Sequence, residues 1–600
     1  MMEQGLELEQ ISEPVREHDA VAALERAFGD PWDSANPLGF TAILAADERA
    51  EMLAAGERML DELGVNAEFV PREYGGRLHR LDRMMEIWRA VFRHDPCLGL
   101  GYGASSLIAA VNVWTAGSTA QRRRVAELLL RKGKLACAYH ELEHGNDLAR
   151  ADFEAMPHDD QLLLNGGKQV IANIERADAF VLYARTDRSS GSRSHSQLLV
   201  EKSALAPDSV SYAPRFASVG MRGVPLGGIA LRDCPVAANS VLGTAGRGLE
   251  TALKCFQVTR VALPGMFIGI LDTGLRLTLR YARQRTLYGK PILDLPQTRA
   301  VLSDAFADLL LCDCFTTVVA RSLHVVPGAA SVYGAAVKYL VPQLLIDAMS
   351  SLSAVLGAQF YLRDGEHALF QKLLRDLKPA GFGHAARVTC QMTILPQLPQ
   401  LARRSWLNAD PAPAAIFQLG QDLPPFSFQR LALSAGGQDP LSGSLTAAVA
   451  QLRREHQQPD IVALGQVFVD RLRTLKDVCA ELPPSELSVM ASPRSYRLSA
   501  HYATVLAASA CLNLWLHNRH HPDPFLRDPA WLQVVLHRLR ARLGQAQPPA
   551  PAQFGARLLA ELLERQQDSL GFDLAKRRLP GWGRSHLNSP QSKESHDANC

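Results

Sequence analysis

Two groups of residues have the types and spacing that can bind a metal ion. Cys312 and Cys314 form a Cys-x-Cys pair, and His517, His520 and His521 form a His-x-x-His-His run. Thiolates and imidazoles bind zinc, but structural zinc sites need four ligands at consistent spacings. Cys-x-Cys alone is a weak signal, and the histidine run leads into a loop. We therefore expect no metal site.

A second candidate is a basic amphipathic helix formed by Arg538, Arg540 and Arg542 with Trp531 and Leu536. Such a helix can bind a membrane surface or nucleic acid, or it can pack with its charges in solvent. Over the whole chain 64 Lys and Arg balance 61 Asp and Glu, for a net charge of +3. This balance gives no bulk attraction to polyanions. We expect a solvated face on a packed helix and no nucleic-acid partner.

Length and composition are typical of a multidomain globular chain. The 600 residues are 47% hydrophobic and 21% charged, which is ordinary for folded soluble domains. The ten scattered cysteines are typical of reduced thiols in protein cores. No uncharged apolar run reaches about 18 residues, and no basic stretch precedes an apolar core near residue 1. The expectation is a cytoplasmic protein without a membrane span.

The spacing of apolar residues changes along the chain and predicts an α+β multidomain fold. Helical periodicity dominates both flanks, whereas short β-rich runs separated by turns occupy the centre. The predicted parts are an N-terminal helical domain (21–135), a central β domain (136–245), a long-helix bundle (246–404), an additional helical domain (405–580) and a disordered tail (581–600).

The expected elements of the two central parts can be placed more closely. Strands are predicted near 161–164, 169–174, 180–184, 197–200, 210–212 and 228–231. Helices are predicted near 246–285, 296–325, 331–357, 366–378 and 384–395. Asn165-Gly166-Gly167 reads as a tight turn, and Thr119 as the N-cap of a helix over 119–131.

Six motifs in this order resemble those of the acyl-CoA dehydrogenase family, over about residues 40–400. No single motif is decisive, but their order and spacing agree with the family. The motifs are Pro71-Arg72-Glu73-Tyr74-Gly75-Gly76, His140-Glu141 with Gly145-Asn146-Asp147, Asn165-Gly166-Gly167-Lys168 with Ile171 and Asn173, Gly220-Met221-Arg222-Gly223, Arg285 to Ile292 with Gln297, and Arg375-Asp376.

The resemblance implies an FAD-binding homodimer or homotetramer that oxidises an acyl thioester of coenzyme A or an acyl carrier protein. In the family the flavin lies between the β domain and the bundle. A base removes the α proton while the flavin accepts the β hydride, and a separate electron-acceptor protein can follow. The cofactor supplies the redox chemistry, whereas the protein supplies orientation, a base and polarisation of the carbonyl.

The resemblance also implies roles for individual residues. Arg285, Tyr288 and Gln297 would contact the FAD of the neighbouring subunit, because a guanidinium suits a diphosphate. Gly357 and Ala358 would let the backbone approach the adenine diphosphate. The remaining cofactor contacts would come from Tyr139, His140, Gly145, Asn146 and Ala172, and the substrate contacts from Asn146 and Arg260. Solvated or packed side chains are the alternative for each of them.

Several positions depart from the family pattern. Val170 stands where the family has a flavin-strand Trp, and Ala172 where it has the Thr or Ser near flavin N5. Ala354 replaces a glutamine. The catalytic glutamate is also missing, because its ungapped position holds His384 and the family's alternative position holds Thr259.

Three explanations of the missing carboxylate remain open. His384 could be the base, since an imidazole titrates near neutrality. Glu366 could reach inward from a stretch about three residues longer than the family's. The chain could instead be a flavin monooxygenase of the same fold, or a non-catalytic flavoprotein scaffold. We favour thioester α,β-dehydrogenation in a specialised pathway.

Overall fold

The computed structural model describes residues 20–189, 191–544 and 550–582. Helices form the N-terminal part, in agreement with the apolar periodicity there. Its helices are Ala20–Phe28 (α1), Phe40–Glu48 (α2), Ala54–Glu62 (α3), Leu81–His94 (α4), Pro96–Leu98 (α5), Ser105–Ala116 (α6) and Thr119–Leu130 (α7). Helix α7 begins at Thr119, as predicted, but Thr119 is not its N-cap. Ser118 is its N-cap and forms a capping box with Gln121, which satisfies two free backbone N–H groups.

The central β domain contains seven strands of one sheet. They are Leu135–Ala138 (β1), Glu154–His158 (β2), Gln161–Ala172 (β3), Ala179–Arg185 (β4), His195–Glu201 (β5), Val210–Ala213 (β6) and Leu226–Ala237 (β7). The antiparallel ladder β2-β3-β7-β6 joins the β1-β4-β5 group, in which β1 is parallel to β4. The sequence prediction missed β1 and β2. This domain has its own hydrophobic core, separate from the helical core.

The turn predicted at Asn165-Gly166-Gly167 is wrong, because these residues lie inside strand β3. Strand β3 pairs with β2 on one side and with β7 on the other, and the register shifts between Leu164 and Gly166. Gly166 has φ of +132°, which a glycine adopts without steric cost. A second shift lies between Lys168 and Ile171, where Val170 has φ of +57°. The strand therefore carries two bulges instead of ending in a hairpin.

The long-helix bundle follows the predicted order closely. Its helices are Gly248–Gln284 (α8), Pro296–Val325 (α9), Ala330–Leu356 (α10), Leu369–Asp376 (α11), Arg387–Ile394 (α12) and Leu398–Arg404 (α13). Between α8 and α9, Thr286–Leu287 (β8) and Lys290–Pro291 (β9) form a small exposed hairpin. Helices α8, α9 and α10 are each buried over most of their length, as expected for central helices of a bundle.

The additional helices pack on the bundle and share its core. They are Pro440–Arg454 (α14), Pro459–Ala480 (α15), Pro493–His517 (α16), Pro524–Arg527 (α17), Pro529–Ala541 (α18) and Ala552–Gln567 (α19). The basic residues of α18 face the bundle. Arg538 forms ion pairs with Asp304 and Asp308, and Arg542 with Asp347. The basic face that we expected to be solvated therefore forms, in part, ion pairs inside the protein. A separate domain over 405–580 stays a prediction.

A buried ionic network joins residues 570–582 to the N-terminal helices. Arg89 on α4 binds Asp313 (2.6 Å) and Asp573 (3.0 Å). Trp582 is buried, and its Nε1 donates to Glu25 on α1 at 3.1 Å. The prediction of a disordered tail is thus wrong for its first two residues, because Gly581 and Trp582 have a defined place in the fold. Residues 583–600 lie outside the described chain.

Three helical stretches are long and apolar enough to cross a membrane by length and composition. They cover Pro96–Ala116, Gly248–Gln284 and Pro327–Tyr361, and their most apolar windows are 89%, 100% and 50% buried inside the protein. The expectation of no spanning helix is therefore not confirmed. The first two windows lie almost wholly in the protein interior and the third only by half, and composition alone does not distinguish packed interior from a span.

Candidate functional site

The turn before α12 holds His384 in an unusual backbone conformation. His384 has φ of +64°, which a non-glycine residue adopts at a cost. Lys338 on α10 stabilises this turn, because its Nζ donates to the carbonyls of Ala380 (2.8 Å) and Gly383 (2.9 Å). The side chain of Lys338 is itself buried. Lys338, a buried residue of the bundle, therefore holds the turn at Gly383, the residue directly before His384.

Phe256 and Arg260, one turn apart on α8, form the wall opposite this imidazole. The Phe256 ring meets the His384 ring edge-to-face at 4.7 Å between centroids. The Arg260 guanidinium lies 5.0 Å from the Phe256 ring centroid, within reach of a cation–π contact. Arg260 Nη1 donates to Thr393 Oγ1 at 3.0 Å. His384 and Arg260 are thus brought together as the sequence suggested.

The electrostatic environment keeps His384 uncharged. Burial of the imidazole lowers its pKa well below the usual value, and the neighbouring Lys338, His140 and Arg260 lower it further. The side chain is half-buried, but its Nε2 is inaccessible and lacks a hydrogen-bond partner among the described residues. A neutral imidazole with a free nitrogen can accept a proton. Burial likewise lowers the pKa of Lys338 to about 8.

The β domain presents His140 and the bulged part of β3 toward this turn. Gln169 N donates to the His140 carbonyl at 3.2 Å, which aligns the segment after β1 with β3. Gly145 and Asn146 are exposed, Val170 is 37% exposed, and Ala172 is half-buried. These residues line one edge of the domain, and their backbone and small side chains are open to a ligand.

Tyr139 is different, because its side chain points into the core. Its hydroxyl donates to Asn112 Oδ1 at 2.5 Å and accepts from Gln197. The ring also packs against Tyr183 and Phe256. The aromatic side chain is therefore engaged in the interface between helices and sheet, and the backbone carbonyl of Tyr139 accepts from Lys168 Nζ at 3.1 Å.

The other predicted cofactor residues lie together beyond the far end of α8. Arg285, Tyr288, Gln297, Gly357 and Ala358 are all exposed. Tyr288 is 89% exposed at the tip of the β8–β9 hairpin. Arg285 makes no ion pair with any described residue. The 25 positions between Arg260 and Arg285 correspond to about 37 Å along a helix, so the structure does not bring this group to His384.

The structure also separates Glu366 from His384. Glu366 forms an ion pair with Arg280 in a surface groove of about 600 Å³ that Trp32 and Arg363 also line. Arg280 stands twenty positions after Arg260 on α8, which is about 30 Å of helix. The hypothesis that Glu366 reaches inward as the base is therefore wrong for this conformation. The local insertion places the carboxylate on an outer groove.

Two clusters of the described residues have ligand atoms close enough for a metal ion. In the first, Asp95, Cys97 and Asp376 surround a position where Lys372 Nζ already lies, 2.8 Å from Asp95 and 2.6 Å from Asp376. The ammonium group supplies the positive charge there. The second cluster comprises Glu141, His144 and Asp152, and Lys168 Nζ lies 2.6 Å from Glu141.

Sequence reasoning missed Lys338 and Phe256. The signal for Lys338 was present, since it is the one charged residue between Ser331 and Ile346 on a predicted buried helix. Burial of an ammonium is expensive and marks a specific role. Phe256 had no distinguishing signal, because an aromatic residue on a buried helix face is usually core.

The comparisons with known proteins agree with this architecture. Residues 136–234 match the family model for the acyl-CoA dehydrogenase middle domain, and residues 246–384 match that for the acyl-CoA dehydrogenase C-terminal domain. The mitochondrial isovaleryl-CoA dehydrogenase of Oryza sativa subsp. japonica is 28% identical over 269 residues, 44% of this chain and 64% of that protein. The chain thus spans less than two thirds of that curated relative.

Two solved structures share the fold. An acyl-CoA dehydrogenase complexed with FAD from Bacillus anthracis has a TM-score of 0.68 at 15% identity, covering 92% of this chain and 95% of that one. The prolyl acyl carrier protein oxidase AnaB has a TM-score of 0.57 at 18% identity, covering 64% and 98%. The predicted fold class is confirmed. With its helical, β and long-helix parts in the family's order and its two domain models matched, the chain belongs to the acyl-CoA dehydrogenase family.

Proposed function

We propose that this protein is an FAD-dependent oxidoreductase that removes hydrogen across the α–β bond of an acyl thioester. The observation that carries the proposal is the His384 imidazole. Burial lowers its pKa well below the usual value, its Nε2 has no hydrogen-bond partner among the described residues, and it stands on the turn that precedes α12. A proton acceptor in this location fits dehydrogenation, because the α proton must be removed as a proton.

The residues present fit FAD. The exposed edge formed by Gly145, Asn146, Val170 and Ala172 offers backbone groups and small side chains to a flat ring. A Cβ built at Gly145 meets no atom within 4 Å. The smaller side chains at Val170 and Ala172 replace bulkier family residues and leave more room at this edge.

When bound, FAD supplies the acceptor for the hydride and its two electrons. His384 would take the α proton at Nε2. Lys338 fixes the turn that carries the imidazole, through the carbonyls of Ala380 and Gly383. Phe256 shields the imidazole from water on one side. Positioning of this kind is worth several orders of magnitude in rate.

The active form would be a homodimer or a larger homo-oligomer. Arg285, Gln297 and Gly357 are exposed and lie far along α8 from the His384 turn. They suit a diphosphate held by a second copy, since one FAD molecule cannot reach both places on the same chain. Exposed Tyr288 and Tyr361 would be covered in that assembly.

The acyl carrier would be coenzyme A or an acyl carrier protein. Of the similar proteins, isovaleryl-CoA dehydrogenase is named for a coenzyme A thioester, and the prolyl acyl carrier protein oxidase for a carrier-protein thioester. A substrate screen should therefore include both carriers. We further propose a cytoplasmic location and a separate electron-acceptor protein.

An anaerobic screen of flavin bleaching against a panel of acyl thioesters tests the proposal. We expect at least one thioester to reduce the flavin, with the α,β-unsaturated product recovered. Fast reoxidation by oxygen together with an oxygenated product would identify a monooxygenase instead. A flavin that no thioester on either carrier reduces would leave a non-catalytic flavoprotein and contradict the proposal.

A further inference from the structure

Arg260 stands apart from the other buried arginines. Among the described residues six arginines are buried: Arg89, Arg93, Arg260, Arg276, Arg321 and Arg565. Five of them form an ion pair with a carboxylate. Arg260 forms none. Its Nη1 binds the neutral hydroxyl of Thr393, while its Nε and Nη2 are buried without any partner.

The two free nitrogens lie on the edge of the guanidinium that binds carboxylates in this same chain. Arg80 binds Asp82 through Nε (3.0 Å) and Nη2 (2.6 Å). Arg124 binds Glu201 in the same way, at 2.9 Å and 2.7 Å. Two parallel N–H groups on this edge match the two oxygens of a carboxylate. In Arg260 neither nitrogen of this edge has a hydrogen-bond partner among the described residues.

The surroundings of Arg260 add positive charge and supply no anion. Of the three buried lysines, Lys168 and Lys372 are paired with carboxylates, whereas Lys338 near Arg260 binds only carbonyls. The acidic group that interacts electrostatically with both is the Cys390 thiol, whose pKa burial raises, so it stays protonated. Two buried cations without a counter-ion are costly, and a ligand anion would relieve that cost.

We propose that the free Nε–Nη2 edge of Arg260 binds a carboxylate on the acyl part of the substrate. The substrate class is then a monothioester of a dicarboxylic acid. This inference rests on the proposed function, because it assigns the substrate of the same site. Arg260 is one helical turn from Phe256, which packs on His384, so the second carboxylate would lie beside the carbon chain that reacts.

The experiment compares short dicarboxylic monothioesters of coenzyme A with monocarboxylic thioesters of the same carbon count. A third set carries a terminal amide in place of the carboxylate. Dissociation constants are measured calorimetrically on the FAD-loaded protein, and flavin reduction is followed separately. We expect at least one dicarboxylic member to bind about tenfold more tightly than its monocarboxylic and amide counterparts, since charged hydrogen bonds exceed neutral ones.

Arg260→Met should abolish this preference, so that the dicarboxylic, monocarboxylic and amide members bind alike, and Arg260→Lys should keep part of it, because an ammonium lacks the fork. Thr393→Val is the matched control and should retain the preference. If Arg260→Met does not fold, the Arg260→Lys variant and the amide series on the unaltered protein still test whether Arg260 binds the carboxylate. A preference that persists in Arg260→Met, or no preference in the unaltered protein, overturns the inference.

The last part of the experiment tests free anions in place of thioesters. If acetate or chloride alone raises the unfolding temperature through Arg260 and no thioester shows the preference, the edge holds a resident ion, and the substrate assignment is wrong. If thioesters bleach the flavin without any carboxylate preference, dehydrogenation stands and this inference fails. If the preference exists but nothing bleaches the flavin, the carboxylate site stands and the proposed reaction fails.

Discussion

His384 carries the first prediction at the scale of a single residue. Replacement of His384 by Ala should slow single-turnover flavin reduction at least about tenfold, because loss of a general base costs about 10²–10⁴-fold. Glu366→Gln is the control, since Glu366 is paired with Arg280 on an outer groove. His384→Glu should restore much of the rate by supplying a carboxylate. Equal rates in His384→Ala and the parent protein would contradict the assignment.

The pH dependence of the same step follows from the environment of the imidazole. Burial and the neighbouring Lys338, His140 and Arg260 lower the pKa of His384 well below its usual value. The proton-accepting form is the neutral one, which exists above that pKa. It therefore predominates by pH 6.5, and the rate of flavin reduction should be flat between about pH 6.5 and 8. A rate that about doubles over this range would show an unperturbed imidazole, and a rise approaching tenfold per unit would show a base of higher pKa.

At this scale the sequence predicted part of the site. His384 and Arg260 come together as the motif spacing suggested. The sequence could not show that Glu366 lies outside the site. A longer loop can direct a carboxylate inward or outward, and the outward position depends on the ion pair with Arg280 from another helix. The pKa of His384 also depends on Lys338, which approaches from another helix and leaves no local trace near residue 384.

At the scale of elements, Asp439 joins the bundle to the additional helices. It caps α14, and its two carboxylate oxygens accept from Tyr333 (2.9 Å), Trp406 (2.9 Å), Tyr502 (2.7 Å) and Ser442 N (3.1 Å). These donors come from α10, α14, α16 and the connection between α13 and α14. A single buried carboxylate thus satisfies four donors that would otherwise be unpaired.

Asp439→Ala should destabilise the protein by about 3 kcal/mol or more, because each buried unsatisfied donor costs about 1–3 kcal/mol. Differential scanning fluorimetry would show this as a lower unfolding temperature. Asp422→Ala is the control, since Asp422 is exposed in the same connection. An unfolding temperature equal to that of the control would mean that water replaces the carboxylate at no cost.

Element boundaries were predicted best where apolar residues followed the helical spacing over a long, uninterrupted stretch. Helices α8, α9 and α10 were placed within a few residues, because each has about seven or more turns with many buried positions in one repeating pattern. The strands of the β domain were harder to predict from the sequence. Strand β3 contains glycines that signal a turn locally, yet pairing with β2 and β7 on both sides keeps it extended. Such tertiary pairing overrides local turn preference.

At the scale of the whole molecule, buried ion pairs predict one cooperative unit. Asp573 binds Arg89 at 3.0 Å and lies 3.5 Å from Arg93, all three being buried. Asp573→Ala would leave Arg89 with Asp313 as its one carboxylate and the buried cluster one negative charge short, which should cost about 3–5 kcal/mol. Asp568→Ala, at an exposed position, is the control. A variant with unchanged unfolding temperature would show that the contact is not needed.

Assembly provides a further whole-molecule prediction. Arg285→Ala should lower both the ratio of flavin to protein absorbance after purification and the share of oligomer in size-exclusion chromatography. The reason is that Arg285 is exposed, makes no ion pair within the described chain, and would hold the diphosphate of a second copy. Arg454→Ala, at another exposed position, should change neither. A monomer that still retains FAD would refute shared binding.

The contact between Trp582 and Glu25 has a consequence for biosynthesis. Residues 573–582 leave the ribosome long after α1 and α4 have been made. Until then Arg89 and Arg93 lack Asp573, and Glu25 lacks the indole that covers it. The N-terminal helices cannot complete their interior until this segment has been made, so they depend on closure by a part of the chain that is synthesised much later. A nascent chain arrested before residue 573 should remain sensitive to protease at α4 and become resistant once that segment is released.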